Sequence, residues 1–381
     1  MKVAIVGGGI AGLAAALTLK SKGIAFHLYE QCGEFKEVGA GVLLNKTTFE
    51  LLQILGVGDL FSELSNPIQS FKITDLKSEL TCDMKIGQPM YAIHRADLIK
   101  VLCSSLNDDE YTLGCRIEKV VSETDKVKIQ INESIVDYDV LIVANGINSN
   151  IRKAILPKIE LRNVGQVVYR GISKIKGFEK YNHSAVEFWG ENKRFTVIHS
   201  KDDLYYWCTV LWQKDKINDD TKSFKTNLIS KFKNFHQDVC AFIDASDADK
   251  IIITNTHDIA ANMENWYNAR IVFVGDAVHC CTPDLSQGAC LAIESAYTIS
   301  RCLSEFDSVN MAFEKYQNVR MPKVNYVKNL SFKYGRLSHQ RELWHYVLLF
   351  WIIHQLPNWM IKKMYNKLTD TNTITSLFQD K

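Results

Sequence analysis

The sequence predicts an α/β fold with a parallel sheet and its helices, an inserted and mostly antiparallel sheet, and a helical segment at the carboxyl end. Three observations predict it. The chain opens on a short apolar run, a glycine-rich turn and a run rich in Ala and Leu, which is the order of a βαβ unit. Its middle changes to short alternating or apolar runs, which are typical of antiparallel strands. After residue 335 the pattern becomes helical.

Length and composition bound the class of protein. The chain has 381 residues, 46% of them apolar, and a formal net charge of +2. It exceeds one typical domain and can bury a large core. The near-neutral charge, with no run of Lys or Arg, gives no electrostatic basis for binding nucleic acid. No apolar stretch reaches the ~20 residues that span a bilayer.

The ten cysteines predict a reduced protein. They are scattered, form no Cys-x-x-Cys pair and show no zinc-ligand spacing. The adjacent Cys280 and Cys281 would be strained if they bridged each other. We therefore expect free thiols packed as small apolar residues, no metal site and a cytoplasmic location.

The first βαβ unit has the pattern of a Rossmann-like dinucleotide site. The strand Val3–Val6 leads into the spacing G-x-G-x-x-G at Gly7, Gly9 and Gly12. The first glycine permits the tight turn, the second lets backbone approach a pyrophosphate, and the third lets the helix pack closely. Glu30 ends the second strand about 20 residues on, where a carboxylate binds ribose hydroxyls. A simple tight turn is the alternative.

A second motif follows the apolar run Ile271–Val274. It reads GDAVHCCTPDLSQG from Gly275 to Gly288, and the apolar helix pattern ACLAIESAYTISRCL continues it. The carboxylate of Asp276 thus stands at the end of a buried strand, before a loop that opens a helix. Such strand ends hold ligands in α/β proteins.

Four stretches, in fixed order, resemble a known family. They are GGGIAGL…YEQ…EVGAGV, HRADL, YDVLIVANGINSNIR and VGDAVHCCTPDLSQGACLAIESA. In this order they resemble the single-component FAD-dependent aromatic hydroxylases, the para-hydroxybenzoate hydroxylase-like group, nearest its salicylate, urate and zeaxanthin-epoxidase branch. The resemblance extends to about residue 335.

The resemblance and the strand patterns together predict a discontinuous domain organisation. The Rossmann-like FAD-binding domain takes residues 1–67, 88–160 and 260–335. The substrate domain takes residues 68–87 and 161–259, and residues 336–381 form a C-terminal helical segment.

The resemblance implies one non-covalently bound FAD, with NADPH or NADH as a transient reductant that needs no second glycine motif. Asp276 would bond the ribityl chain, the backbone of Pro283 would lie against the isoalloxazine, and Arg95 would lie near the pyrophosphate. An exposed arginine at a helix start is the alternative for Arg95. The helix that follows the loop would stabilise negative charge on reduced flavin with its first N–H groups. The full set of expected cofactor residues is Gly7, Gly9, Ala11, Gly12, Glu30, Gly41, Arg95, Ile117, Asp276, Pro283, Gln287, Gly288 and Ala289.

Three positions depart from the family pattern. Ser286 stands where the family has Gly, Ser295 where it has Asp, and Asn145 where the third motif has Asp. A serine adopts positive φ less readily than glycine, so the loop geometry is expected to differ slightly. Asn145 puts the choice between NADPH and NADH in doubt. His279 is expected to be structural, bonding backbone near the loop, rather than a catalytic base.

Substrate contacts are expected from the middle of the chain. The stretch WGENKRFTVIHSKDDLYYW resembles the region of the urate-hydroxylase branch in which an arginine and a tyrosine face the substrate. The matching residues are Arg194 and Tyr206, and Arg170 is a third candidate. The alternative is a solvent-exposed hairpin around Arg194 with a core tyrosine.

The resemblance implies a monooxygenase that inserts one atom of O2 into an aromatic or other electron-rich small molecule through a flavin hydroperoxide. The alternatives are a flavin-linked reductase or epoxidase of an isoprenoid or other lipid-soluble substrate, and a flavin-binding module without turnover. We expect a monomer or homodimer. The apolar stretch Leu343–Ile353 either packs on the protein or, with nearby Trp and Lys, contacts a membrane surface.

Overall fold

The computed structural model describes residues 1–35, 41–79, 81–84, 88–190, 192–217, 223–260, 265–338 and 357–369. The strands are β1 (Lys2–Val6), β2 (Ala25–Tyr29), β3 (Gly41–Asn45), β4 (Ser65–Ile68), β5 (Ser70–Asp75), β6 (Thr81–Met84), β7 (Met90–His94), β8 (Tyr111–Thr112), β9 (Lys119–Ser122), β10 (Val127–Ile131), β11 (Ser134–Tyr138), β12 (Val140–Val143), β13 (Leu161–Lys174), β14 (Ser184–Gly190), β15 (Lys193–His199), β16 (Leu204–Trp212), β17 (Ile252–Ile259), β18 (Tyr267–Asn268) and β19 (Ile271–Phe273).

The helices are α1 (Ile10–Ser21), α2 (Lys46–Ile54), α3 (Gly58–Leu64), α4 (Arg95–Cys103), α5 (Asn150–Ile155), α6 (Phe224–Lys231), α7 (Gln237–Asp244), α8 (Asp276–His279), α9 (Gly288–Glu305), α10 (Val309–Leu337) and α11 (Asn358–Thr369). The mixed α/β fold predicted from the sequence is confirmed.

A six-stranded sheet carries the first and last family-like motifs. Its order is β18-β19-β12-β1-β2-β8, with β1 parallel to β2 and β12, and β12 parallel to β19. Strands covered on both faces need apolar side chains throughout, and β12 is buried along its whole length. The carboxyl ends of β1, β12 and β19 meet at one edge, which brings the glycine turn and the 275–288 loop together.

The glycine turn after β1 depends on two residues without side chains. Gly7 has φ +108°, a conformation that L residues rarely adopt. A Cβ on Gly12 would collide with the carbonyl oxygen of Gly7. The absence of that methyl lets α1 start directly behind the turn.

A seven-stranded sheet forms from the middle of the chain, in the order β17-β13-β16-β15-β14-β5-β6. All its pairs are antiparallel except β14 with β5. One face packs against an aromatic core that includes residues of α6 and α7. The other faces the edge of the six-stranded sheet. The domain boundaries themselves stay a prediction.

Two three-stranded sheets complete the fold. The sheet β3-β7-β4 carries Gly41 at one end, and β11-β10-β9 forms a hairpin layer beside β12. Helix α9 is buried over most of its 18 residues and lies between α1 and α10.

The described residues after α10 belong to α11. Its end is tied to α2, because the Thr47 hydroxyl donates to the carbonyl oxygen of Thr369. Trp359 is 65% exposed. The stretch Leu343–Ile353 lies outside the described residues, so its two expected roles stay predictions. Among the helices that the structure describes, none is long and apolar enough to cross a bilayer.

Nine of the ten cysteines are buried or partly buried, and Cys32 is exposed. All ten cysteines fall within the described ranges and are free. Within those same ranges, no group of His, Cys, Asp and Glu side chains could hold a metal ion.

Candidate active site

A cavity of about 720 Å³ lies between the six-stranded and the seven-stranded sheet. We call it the main cavity. One wall is formed by the turn after β1, the start of α4 and the loop before α9. The opposite wall is the inner face of the seven-stranded sheet. Its volume is within the range of small-molecule and cofactor sites.

Eight of the expected cofactor residues line the main cavity, namely Gly9, Ala11, Gly41, Arg95, Asp276, Pro283, Gly288 and Ala289. The other five lie behind or beside this wall. Gly7 and Gly12 shape the turn, Ile117 is 2% exposed within the core, and Gln287 is buried. The assignment of all thirteen to FAD stays a prediction.

Glu30 lies at the end of β2, beside the glycine turn. Its carboxylate accepts hydrogen bonds from the backbone N–H of Gly8 at 2.5 Å and of Cys32 at 2.8 Å. Each carboxylate oxygen can accept a second bond, so the group can still receive ribose hydroxyls. The two backbone bonds fix its position.

Asp276 and Arg95 both line the main cavity and interact electrostatically. Gly275, at φ +61°, turns the chain so that Asp276 opens the single-turn helix α8. The side chain of Asp276 is accessible from the cavity, yet protein surrounds it, and this burial raises the pKa of its carboxyl while Arg95 lowers it. Burial also lowers the pKa of Arg95. Arg95 lines the cavity, which disfavours the exposed-arginine alternative.

The loop before α9 holds Ser286, the departure from the family glycine, in a strained backbone conformation. Ser286 adopts the left-handed conformation at φ 53° and ψ 28°, where a glycine would be relaxed. Helix α9 nevertheless begins at Gly288. The Gln287 side chain accepts from Asn45 at 3.2 Å, and Asn45 in turn caps α2 through the N–H of Thr48. The strained loop is therefore anchored to α2.

His279 makes a backbone hydrogen bond, as its expected structural role implies, and a side-chain contact as well. Its ring hydrogen-bonds with its own backbone, lies 3.0 Å from the Ser295 hydroxyl, and packs against Trp266. Burial lowers its pKa to about 3, with Arg320 and Lys328 adding to the effect. A ring that stays neutral and does not line the main cavity is poorly placed to act as a base. Ser295, at a departure from the family pattern, is its partner.

Asn145 lies beside the glycine turn. Its amide donates to Asn150, whose own amide donates to the carbonyl of Ile117. Among the described residues its Oδ1 has no hydrogen-bond partner. An aspartate here would bury an unpaired charge. The neutral amide of Asn145 avoids the free energy that burying this charge would cost.

Arg194 is not in a solvent-exposed hairpin, so that alternative is wrong. It lies on β15 and is 3% exposed. Its guanidinium forms an ion pair with Asp284 at 2.8 Å and donates to the Ser338 hydroxyl at 3.2 Å. Gly335 of α10 leaves room for this carboxylate, since a Cβ there would lie 2.6 Å from its Cγ. Arg194 therefore joins the substrate-side sheet to the loop before α9.

Tyr206 and Arg170 form a second polar group on the same wall. The Tyr206 ring packs on Gly41, where a Cβ would lie 3.0 Å from it. Arg170 donates to the Thr254 hydroxyl at 2.6 Å and hydrogen-bonds with the hydroxyl of Tyr206. Burial, then Cys208, raise the pKa of Tyr206, while Arg170 lowers it. The net rise keeps Tyr206 protonated.

Two carboxylates that line the main cavity were missed by the sequence reasoning. Glu187 accepts from the indole of Trp189 at 2.9 Å and from the hydroxyl of Tyr334 at 2.7 Å. Asp284 is the partner of Arg194. A lone acid inside the apolar run SAVEFWG, and an acid directly after Pro283, were the available signals.

Comparisons with known proteins identify the family and the fold. The model of the family described as "FAD binding domain" matches residues 1–327. The aurachin C monooxygenase/isomerase of Stigmatella aurantiaca is 27% identical over 380 residues, covering 98% of this chain and 97% of that protein. The 6-hydroxynicotinate 3-monooxygenase of Pseudomonas fluorescens is 26% identical over 350 residues, covering 87% and 90%. The crystal structure of Klebsiella pneumoniae HpxO with FAD and uric acid superposes with a TM-score of 0.87 at 23% identity, covering 97% and 96%.

Proposed function

The chain belongs to the FAD binding domain family and is an FAD-dependent monooxygenase. We propose that its substrate is a nitrogen heteroaromatic ring that bears oxygen substituents. The observation that carries the proposal is the main cavity. It joins a backbone-lined wall suited to a flavin dinucleotide with a sheet wall that offers fixed hydrogen-bond donors among apolar side chains.

The residues of the first wall fit FAD. The positive φ of Gly7 and the close approach at Gly12 leave a cradle that a Cβ would fill. Gly9 and the start of α1 would hold the pyrophosphate, and Asp276 would accept from ribityl hydroxyls. The first N–H groups of α9 would face the ring system. FAD, once bound and reduced by NADPH or NADH, supplies the electrons that activate O2.

The proposed substrate class rests on a chemistry shared by the relatives' names. Those names contain 6-hydroxynicotinate, 2-heptyl-3-hydroxy-4(1H)-quinolone and urate. Each is a nitrogen heteroaromatic ring with oxygen substituents. Such rings carry N–H donors beside carbonyl-type acceptors, so they need a wall with directed polar groups.

The sheet wall of this chain provides such groups. Arg170 presents a charged donor and Tyr206 a neutral hydroxyl at the same part of the main cavity. Because the pKa of Tyr206 is raised, its hydroxyl keeps its proton and orients a ring oxygen rather than removing a proton. Val168, Ile198 and Val210 provide apolar surface beside them and limit the access of water.

The test is an oxygenation assay on the purified FAD-loaded protein. NADH and NADPH oxidation in air is followed with 4-hydroxyquinoline, 2-hydroxypyridine and urate, with 4-hydroxybenzoate as the carbocyclic control. We expect a heterocycle to accelerate oxidation and to yield a product one oxygen atom heavier by mass spectrometry. Turnover of the carbocycle alone would refute the substrate class. Reduction of a substrate without incorporation of oxygen would favour the reductase alternative.

A further inference from the structure

A second, smaller cavity of about 190 Å³ adjoins the main cavity. We call it the side pocket. It lies between the start of β13, the end of β16 and the last turns of α10. Its floor is formed by Gln166, Asp284 and Gly335, and Asp284 lines both cavities. The side chain of Asp284 thus separates the two.

The floor contains polar atoms that the fold does not use. Gln166 is 1% exposed, and within the part of the chain that the structure describes neither its Nε2 nor its Oε1 has a hydrogen-bond partner. Oδ2 of Asp284 is also without one, although Oδ1 binds Arg194. A buried carboxamide without partners is destabilising, and such groups in native proteins require an explanation.

Local backbone geometry places Gln166 there. The pairing of β13 with β17 shifts register between Asn163 and Val167, and Gly165 lies at φ +78°. Gln166 lies within this irregularity on the β17 side, but its pairing with β16 is regular from Gln166 onwards. Gln166 therefore shares its face with Val168 and Arg170, which line the main cavity. The side pocket is therefore an extension of the inner face of the same sheet.

The walls of the side pocket are aromatic, and its buried charge is paired. A further lining cation, Arg336, is exposed to solvent and lies 5.8 Å from the centre of the Phe332 ring. Trp212 and Phe332 contribute rings to its lining. The guanidinium of Arg162 lies 3.8 Å from the centre of the Phe332 ring, while Asp258 binds it at 2.9 and 2.6 Å. Since Asp284 is neutralised by Arg194, neither of these two charges calls for an ionic ligand.

We propose that the side pocket is a second binding site, for a small neutral planar molecule with a lactam or primary carboxamide edge. Such an edge donates to Oε1 of Gln166 and accepts from its Nε2, which satisfies both unused atoms. A further N–H of the ligand can donate to Oδ2 of Asp284. The aromatic lining favours a flat ring, and the volume, below the ~300 Å³ of ordinary ligand sites, limits it to a single ring.

This site is distinct from the hydroxylation site. Its defining residues, Gln166 and Trp212, do not line the main cavity. A ligand in the side pocket affects the main cavity through Asp284. When an N–H of the ligand donates to Oδ2, it weakens the interaction of the same carboxylate with Arg194. The inference does not depend on the substrate proposed above.

The test uses 5-fluoro-2-pyridone as the probe and 19F NMR of the full-length, FAD-loaded protein as the readout. Gln166→Leu removes the two amide atoms at similar volume, and Gln130→Leu on the exposed side of β10 is the matched control. We expect Gln166→Leu to weaken one class of bound probe at least tenfold, and Gln130→Leu to bind as the native protein does. We also expect Gln166→Leu to raise the Tm without probe, since it removes two unpaired buried atoms.

Two results would overturn the proposal. One is a probe signal that Gln166→Leu leaves unchanged; the other is a crystal structure with probe that shows only ordered water at Gln166. If Gln166→Leu does not fold, Trp212→Leu removes one aromatic wall and must give the same loss of binding. None of these measurements requires turnover, so they fail or succeed separately from the oxygenation assay.

Discussion

The two walls of the main cavity are built from different atoms. On the six-stranded sheet, the wall presents backbone beside the side chains of Arg95 and Asp276: the turn at Gly7–Gly12 and the N-terminus of α9 offer N–H groups held by main-chain geometry. The wall on the seven-stranded sheet presents side chains, held by ion pairs and hydrogen bonds to residues far away in sequence, such as Arg194 to Asp284. The backbone groups keep their arrangement after most substitutions, except those that change the backbone conformation. The side-chain groups lose their arrangement when one member of a pair is replaced.

The largest expected effect is on the side-chain wall. Arg194→Met leaves Asp284 buried without its counter-charge, which costs about 3–5 kcal/mol of unfolding free energy. Urea unfolding measures it. The double variant Arg194→Met/Asp284→Asn removes the uncompensated charge and should recover most of the loss. Equal stability of the single variant and the native protein would contradict the account.

Gly12→Ala tests the backbone wall. The added methyl collides with the Gly7 carbonyl, so α1 must move away from the turn, at a cost of about 3 kcal/mol. FAD affinity, measured by equilibrium dialysis, should fall with it. Gly33→Ala is the control, because no described atom lies within 4 Å of a Cβ at that position. Retention of full FAD affinity by Gly12→Ala would show that the turn tolerates a changed path.

Acid pH should weaken the region behind the loop through His279. Its pKa in the folded protein is about 3, below the ~6.5 of the unfolded chain. The contribution of His279 to the free energy of unfolding is therefore complete above pH 6.5 and falls as the pH drops towards 3. Between pH 7 and pH 5 the loss is about 2 kcal/mol. His279→Asn, compared with the native protein by urea unfolding at both pH values, should lose less on acidification. An identical loss in both proteins would place the titration elsewhere.

The smallest expected effect is at Ser286. Ser286→Gly relieves a left-handed conformation worth about 1 kcal/mol but increases the entropy of the unfolded chain, for a net gain of about 0.5 kcal/mol. Differential scanning calorimetry should show a slightly higher Tm. Ser304→Gly, in the last turn of α9, should instead cost about 0.5 kcal/mol or less. A loss of stability in Ser286→Gly would mean that the serine side chain itself holds the loop.

The same contrast explains what could be predicted from the sequence. The glycine turn, the four strands β13 to β16 and the helix α9 follow from local patterns, because each depends on neighbours within a few residues. The ion pair of Arg194 depends on Asp284, 90 residues away, and on the bare surface of Gly335. His279 was recognised as structural, but its partner Ser295 lies on another helix and carries no local signal. Leu343–Ile353 lies outside the described residues.

Gly335 has a consequence for redesign of the cavity. Helix α10 packs against the carboxylate of Asp284 at Gly335, where the helix has no side chain. A Cβ at this point would lie less than 3 Å from the carboxylate, so any residue larger than glycine must displace Asp284 or the helix and disturb the ion pair with Arg194. The polarity of the substrate wall can thus be tuned from outside the main cavity, without replacing any group that lines it.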